Sequence, residues 1–173
     1  QRGRKFAYAA YNLEDWQLHP QGQSIVLVCR GKLFTMGLWE GAAVQRGQSD
    51  GVRYRSARWM TDGKRLAVLS DAGGEEALEL QTVAGEAAPV RRLEGLDLGR
   101  SHDLVVSPAK DQVLLSNHRN ELLCVDLAKG ELRRVDHSPH GPVLGAAWSP
   151  DGRWAAYSLR VTPKTAAIKL WPL

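Results

Sequence analysis

The sequence predicts an all-β fold: a β-propeller of four-stranded antiparallel blades, with about four blades present. Three observations carry this. A segment running from a large apolar residue through a tight turn into an apolar strand occurs four times. Its turn residues, Gly22, Gly63, Lys110 and Gly152, are 41, 47 and 42 residues apart, which is the length of one propeller blade. Gly or Pro also interrupts every window in which a helix of useful length could start.

The elements follow in order. The repeats begin at Trp16, Trp59, Val106 and Trp148, which align as innermost-strand residues. Pro20, Pro108 and Pro150 suit the start of a turn because their φ is already set, and Asp62 and Asp151 can bond back to nearby backbone. Gly22, Gly63 and Gly152 accept positive φ without a Cβ clash. In the third repeat Ala109-Lys110-Asp111 replaces Asp-Gly, so that blade is expected to turn differently. Apolar runs at 24–29, 66–69, 113–115 and 154–157 read as strands buried on both faces. Blades that pack face to face require such strands in their middle. Hairpin tips at Arg30-Gly31, 71–74, 117–120 and 161–164 lead into third strands at 32–36, 77–82, 121–127 and 166–171. Outer strands are expected at 43–46, 89–93 and 131–135.

The blades are thus 12–50, 51–99, 100–141 and an incomplete 142–173, with residues 1–11 read as the end of a preceding blade or a linker. Propellers close rings of four to eight blades, so the chain reads as an arc of a larger ring. It starts at Gln1 without a charged-then-apolar leader and reads as a fragment or a processed chain.

Composition narrows the function. Hydrophobic residues make up 43% and charged residues 24%, ordinary values for a soluble globular protein. The net charge of +4 is spread along the chain rather than clustered, so no nucleic-acid partner is expected. No apolar stretch reaches the roughly 18 residues of a membrane helix, so no membrane partner is expected either. Cys29 and Cys124 lie in apolar runs without a C-x-x-C pattern. They read as buried thiols, in keeping with a cytoplasmic protein.

Several residue groups invite a chemical reading. Ser101-His102-Asp103 has the residue types of a triad, but adjacent residues on a strand point to opposite faces. Glu75 and Glu76 sit at a Gly-Gly hairpin tip, where both are expected to be solvated. His137 and His140 flank Pro139 in a connection with no third ligand nearby. No catalytic, metal or cofactor residue is therefore assigned, and no cofactor is expected. Arg53, Arg55 and Arg58 precede Trp59 on the innermost strand of the second blade, with Arg53 and Arg55 expected on one face. Two readings stand: a solvated or salt-bridged strand, or, together with His102, a lining of the propeller channel that attracts peptide carboxylates.

The ordered segments Asn12 to Gly22, Arg30 to Phe34, Gly51 to Trp59, Ser70 to Glu76, Asn117 to Leu123 and Trp148 to Arg153 resemble the second propeller of tricorn proteases, over nearly the whole chain. The resemblance implies a large cytoplasmic serine peptidase that assembles into hexamers. In that family two propellers precede a PDZ-like domain and the catalytic domains, and the propellers gate the passage of peptides. The family's catalytic Ser, His and Glu lie downstream of the propellers, so this segment is expected to be non-catalytic while its parent is a serine-type endopeptidase. Expected partners are peptide substrates, other domains of the same chain and further copies of it. Two alternatives remain at this point: a WD-type propeller scaffold for protein–protein interaction, and the propeller of a prolyl-oligopeptidase-type hydrolase.

Overall fold

The computed structural model describes residues 8–83 and 90–172. Among these, all regular structure is strand except one helical turn, α1 (Ala9–Asn12). That turn occupies the end of the segment read as a preceding blade or linker, whose residues 1–7 lie outside the described residues, as does Pro89 at the start of the second expected outer strand.

Four antiparallel sheets follow one another along the chain. The first holds β1 (Leu13–Leu18), β2 (Ser24–Cys29), β3 (Lys32–Gly37) and β4 (Val44–Arg46). The second holds β5 (Tyr54–Trp59), β6 (Arg65–Ser70), β7 (Ala77–Thr82) and β8 (Arg91–Leu93). The third holds β9 (Ser101–Val106), β10 (Gln112–Asn117), β11 (Glu121–Asp126) and β12 (Glu131–His137). The fourth holds three strands, β13 (Leu144–Trp148), β14 (Trp154–Arg160) and β15 (Ala166–Pro172). Within each sheet the strands pair in sequence order, the meander of a propeller blade.

The four turns occupy equivalent places. Leu18 pairs with Ile25, Trp59 with Leu66, Val106 with Val113 and Trp148 with Ala155, each partner lying three residues beyond the turn position. The first repeat therefore aligns on Leu18. Trp16, aligned with Trp59 by its indole, pairs instead with Leu27, two residues further along. Gly22, Gly63 and Gly152 have φ of +70°, +64° and +66°. At the third turn the Ser107 hydroxyl accepts the N–H groups of Ala109 and Lys110, which lets a non-glycine residue stand there. Glycine at this place also serves packing. A Cβ on Gly63 would meet the His19 ring of the preceding blade, and one on Gly152 would meet Ala109 of the preceding blade.

Among the described residues the core is three separate clusters, one in each seam between consecutive sheets. Val26, Val28 and Leu33 pack on Leu66 and Val68 in the first seam. Ala67, Leu69 and Leu78 pack on Leu104, Leu115 and Leu123 in the second. Leu114 and Leu122 pack on Tyr157 and Leu159 in the third. Strands β6 and β10 thus alternate sides and bury both faces, which explains their unbroken apolar sequence. Among the described residues no cluster joins the fourth sheet to the first. Their outward faces are open, with Trp16 at 55%, Ile168 at 81% and Leu170 at 68% exposure.

Candidate functional site

The innermost strands β1, β5 and β9 lie side by side, and the four residues expected to line a channel fall on or beside β5 and β9. Arg53 immediately precedes β5, while Arg55 and Arg58 lie within it. Between the latter two the strand bulges. Ser56 takes φ +48°, and three residues span the interval opposite Leu69 to Ala67. The bulge breaks the simple two-residue alternation, and the guanidiniums diverge in their partners.

Arg53 is the most exposed of the three. Its side chain is 59% exposed and reaches Glu14 of the first blade at 3.4 Å. Arg55 donates to Glu76 at 3.0 Å and to the Ser101 carbonyl of the third blade at 3.1 Å. Arg58 pairs with Asp15 of the first blade and donates to the Leu104 carbonyl of the third at 3.1 Å, with Asp103 at 3.6 Å. One side chain thereby ties three blades together. Arg55 and Arg58 sit three residues apart and take carbonyls three residues apart on β9, a register that the bulge makes possible. His102 is exposed on β9.

Further clasps flank these, and the sequence reading missed them. Arg65 holds Asp62 of its own turn and, with two nitrogens, Asp111 of the next blade at 3.0 and 2.8 Å. Burial pushes the Asp62 carboxyl up, but hydrogen bonds from the Lys64 N–H and from Arg65 outweigh it and hold the group below the usual carboxylate range. The Thr61 hydroxyl donates to the Ser107 carbonyl at 2.8 Å. In the first seam the Gln17 side-chain oxygen accepts the Trp59 N–H at 2.6 Å. Buried His19 lies edge-on against Trp59. Its Nδ1 accepts the Gln21 N–H, which leaves the ring proton on Nε2 for the Gly63 carbonyl at 2.9 Å. In the third seam the Trp148 indole donates to the Val105 carbonyl at 3.0 Å, and Asp136 receives both Tyr157 and Lys169. The signal for several of these was an Arg, Gln or His beside the turn, as at Arg65, Gln17 and His19.

The groups with chemical residue types are engaged elsewhere. Ser101 is buried, and its hydroxyl donates to the Asp103 and Ser116 carbonyls at 3.3 and 3.4 Å. The Asp103 carboxylate accepts the Leu104 N–H. No hydrogen bond links either residue to His102 among the described residues. Glu75 is exposed, whereas Glu76 is not the solvated tip residue expected from its Gly-Gly context. Its side chain is only 19% exposed, because Arg55 and the Ser101 N–H both reach it. His137 closes β12 and His140 lies in the following connection. No group of three or more metal-ligating side chains occurs among the described residues. Cys29 and Cys124 are both free, and burial pushes the Cys124 thiol up to about 11. Among the described residues no helix is long and apolar enough to cross a membrane.

Beside this axial row, a cleft of about 860 Å³ opens between the 71–76 hairpin tip of the second blade and the 94–100 connection into the third. Arg53, Arg55 and Arg100 stand where the innermost strands begin, while Arg92 and Glu94 stand by the outer strand β8.

Comparison with known proteins agrees with this architecture. A family model described as the tricorn protease second beta propeller domain matches residues 13–173. A tricorn protease homolog of Saccharolobus solfataricus is 32% identical over 149 residues, covering 86% of this chain and 13% of that protein. Tricorn protease homolog 1 of Streptomyces coelicolor is 38% identical over 122 residues, covering 68% of this chain and 11% of its own length. The chain spans no more than 16% of the length of the relatives it matches. Among solved structures, the crystal structure of the tricorn protease superposes with a TM-score of 0.76 at 16% identity, over 96% of this chain and 16% of that one. TolB from Acinetobacter baumannii superposes at 0.71 with 18% identity, over 93% of this chain and 41% of that one, which reflects the shared fold. The chain belongs to the family of tricorn protease second propeller domains.

Proposed function

We propose that this chain is the non-catalytic propeller segment of a cytoplasmic tricorn-like serine protease, channelling peptides toward the proteolytic chamber and supporting assembly of the parent oligomer. The observation that carries the reading is the family match over residues 13–173. The charged side chains on the neighbouring innermost strands β1, β5 and β9 support it. The open apolar faces of the first and fourth sheets fit further blades of the same ring, since contiguous exposed apolar surface marks a site of contact.

The clasps refine which residue would act on passing peptides. Arg55 and Arg58 are engaged by carboxylates and carbonyls. Arg53 keeps most of its surface in solvent and can meet a peptide carboxylate. An exposed pair contributes about 0.2–1 kcal/mol and is screened by salt, so the effect falls on the rate of access more than on affinity. In the parent protease, Arg53→Glu should lower the turnover of acidic peptides several-fold at low salt and much less at high salt. Equal loss for acidic and basic peptides at all salt concentrations would show that Arg53 holds the blade rather than serving the channel.

A further inference from the structure

The cleft between the second and third blades separates its charges along its length. At its axial end stand Arg53 and Arg100. The Arg100 guanidinium is exposed and has no partner among the described residues, its backbone N–H alone being taken by His118. Arg53 has only the long contact to Glu14, and Asp71 beside it accepts the Arg53 backbone N–H. Among the residues lining the axial end, Arg53, Arg55 and Arg100 against Asp71 and Glu76 leave a single positive excess, Glu14 lying outside the lining.

The rim end has the opposite sign. Glu75 and Glu94 are exposed, and their carboxylates have no partner among the described residues. Among the described residues, the one cation between them and the floor, Arg92, is spent. It donates to buried Glu79 at 3.0 Å and to the Glu75 carbonyl at 2.8 Å. A Cβ on Gly73 would fall 2.9 Å from its guanidinium, so the tip backbone lies directly on it. Asp97 is likewise held by Arg119. The floor is apolar, made of Leu93, Leu98 and Ala77. The volume falls within the roughly 300–1,000 Å³ usual for ligand clefts.

A positive end, a negative end and an apolar floor complement one kind of molecule: a short chain with a free carboxylate at one end, a free ammonium at the other and apolar matter between. We propose that this cleft docks short free oligopeptides, with the α-carboxylate toward the axis at Arg100 and Arg53 and the α-ammonium toward the rim at Glu75 and Glu94. The inference rests on the peptide-channelling reading and deepens it by naming the feature recognised, both unblocked termini rather than any side chain. Arg100 supplies planar, paired N–H donors that match a carboxylate.

The test is isothermal titration of the 173-residue chain with a pentapeptide of alanine and glycine, compared with its N-acetylated and C-amidated forms. Each exposed charge pair is worth up to about 1 kcal/mol, so blocking either end should weaken binding about three- to fivefold. In Arg100→Glu the amidation penalty should vanish while the acetylation penalty stays. Free and blocked peptides binding alike, or an amidation penalty that survives Arg100→Glu, would overturn the proposal. The channelling role is read separately, in the parent's turnover. A cleft blind to peptide termini, in a parent that still responds to Arg53→Glu, sinks the docking inference alone.

Discussion

The seam between the second and third blades and the outward faces of the first and fourth blades are built from the same repeat, yet they end in opposite states. In the seam, Leu69, Leu78, Leu104 and Leu115 are removed from solvent. Arg55, Arg58, Arg65 and Thr61 then stitch the rim of that core with hydrogen bonds into the next blade. On the outward faces the equivalent alternation places Trp16, Leu18, Ile168 and Leu170 in solvent. The turn glycines show the same contrast. Gly63 and Gly152 are pressed against the preceding blade, whereas a Cβ on Gly22 would meet nothing within 4 Å. A propeller blade is thus half of an interface, and what holds it is the seam rather than the strand.

Core truncation gives the largest way to break this comparison. Leu104→Ala, in the seam, should cost about 2–5 kcal/mol, measured by denaturant unfolding. Leu170→Ala on the open face should stay within about 0.5 kcal/mol. The open apolar faces should make the isolated chain self-associate, and Ile168→Lys with Leu170→Lys should reduce that association in sedimentation. Similar losses at Leu104 and Leu170 would mean that the fourth sheet is covered in solution.

A smaller effect separates two arginines of one strand region. Arg58→Ala leaves Asp15 and the Leu104 carbonyl short of a donor. It should cost about 1–3 kcal/mol. Arg53→Ala, with its single long contact, should cost about 0–1 kcal/mol. Equal costs would show that the bulge at Ser56 does not direct Arg58 into the seam.

What the sequence revealed follows the same division. Strands, turns and blade order were readable because apolar runs and Gly-Pro punctuation are local signals, and β2 and β7 fall at 24–29 and 77–82 as read. The register of the first blade was not, because the indole of Trp16 drew the alignment two residues away from Leu18, the residue that occupies the Trp59 place. The divergence of Arg58 from Arg55 was not readable, because the bulge at Ser56 between them leaves no local apolar pattern. Glu76 looked solvated because its burial comes from Arg55 and from a backbone N–H on another blade. Contacts 21 to 46 residues apart in sequence carry the site, and no local pattern encodes them.

The central claim is that this chain is a stretch of a larger propeller, whose middle seam is complete and whose outer faces await neighbours. Hydrogen exchange measured on the 173-residue chain and on the parent protein tests it directly. In the isolated chain the amides of β6 and β10 should exchange most slowly and those of β15 far faster, because protection follows burial and local contact density. In the parent, β15 should slow toward the rate of β10. A β15 already as protected as β10 in the isolated chain, or one left unprotected in the parent, would contradict the account.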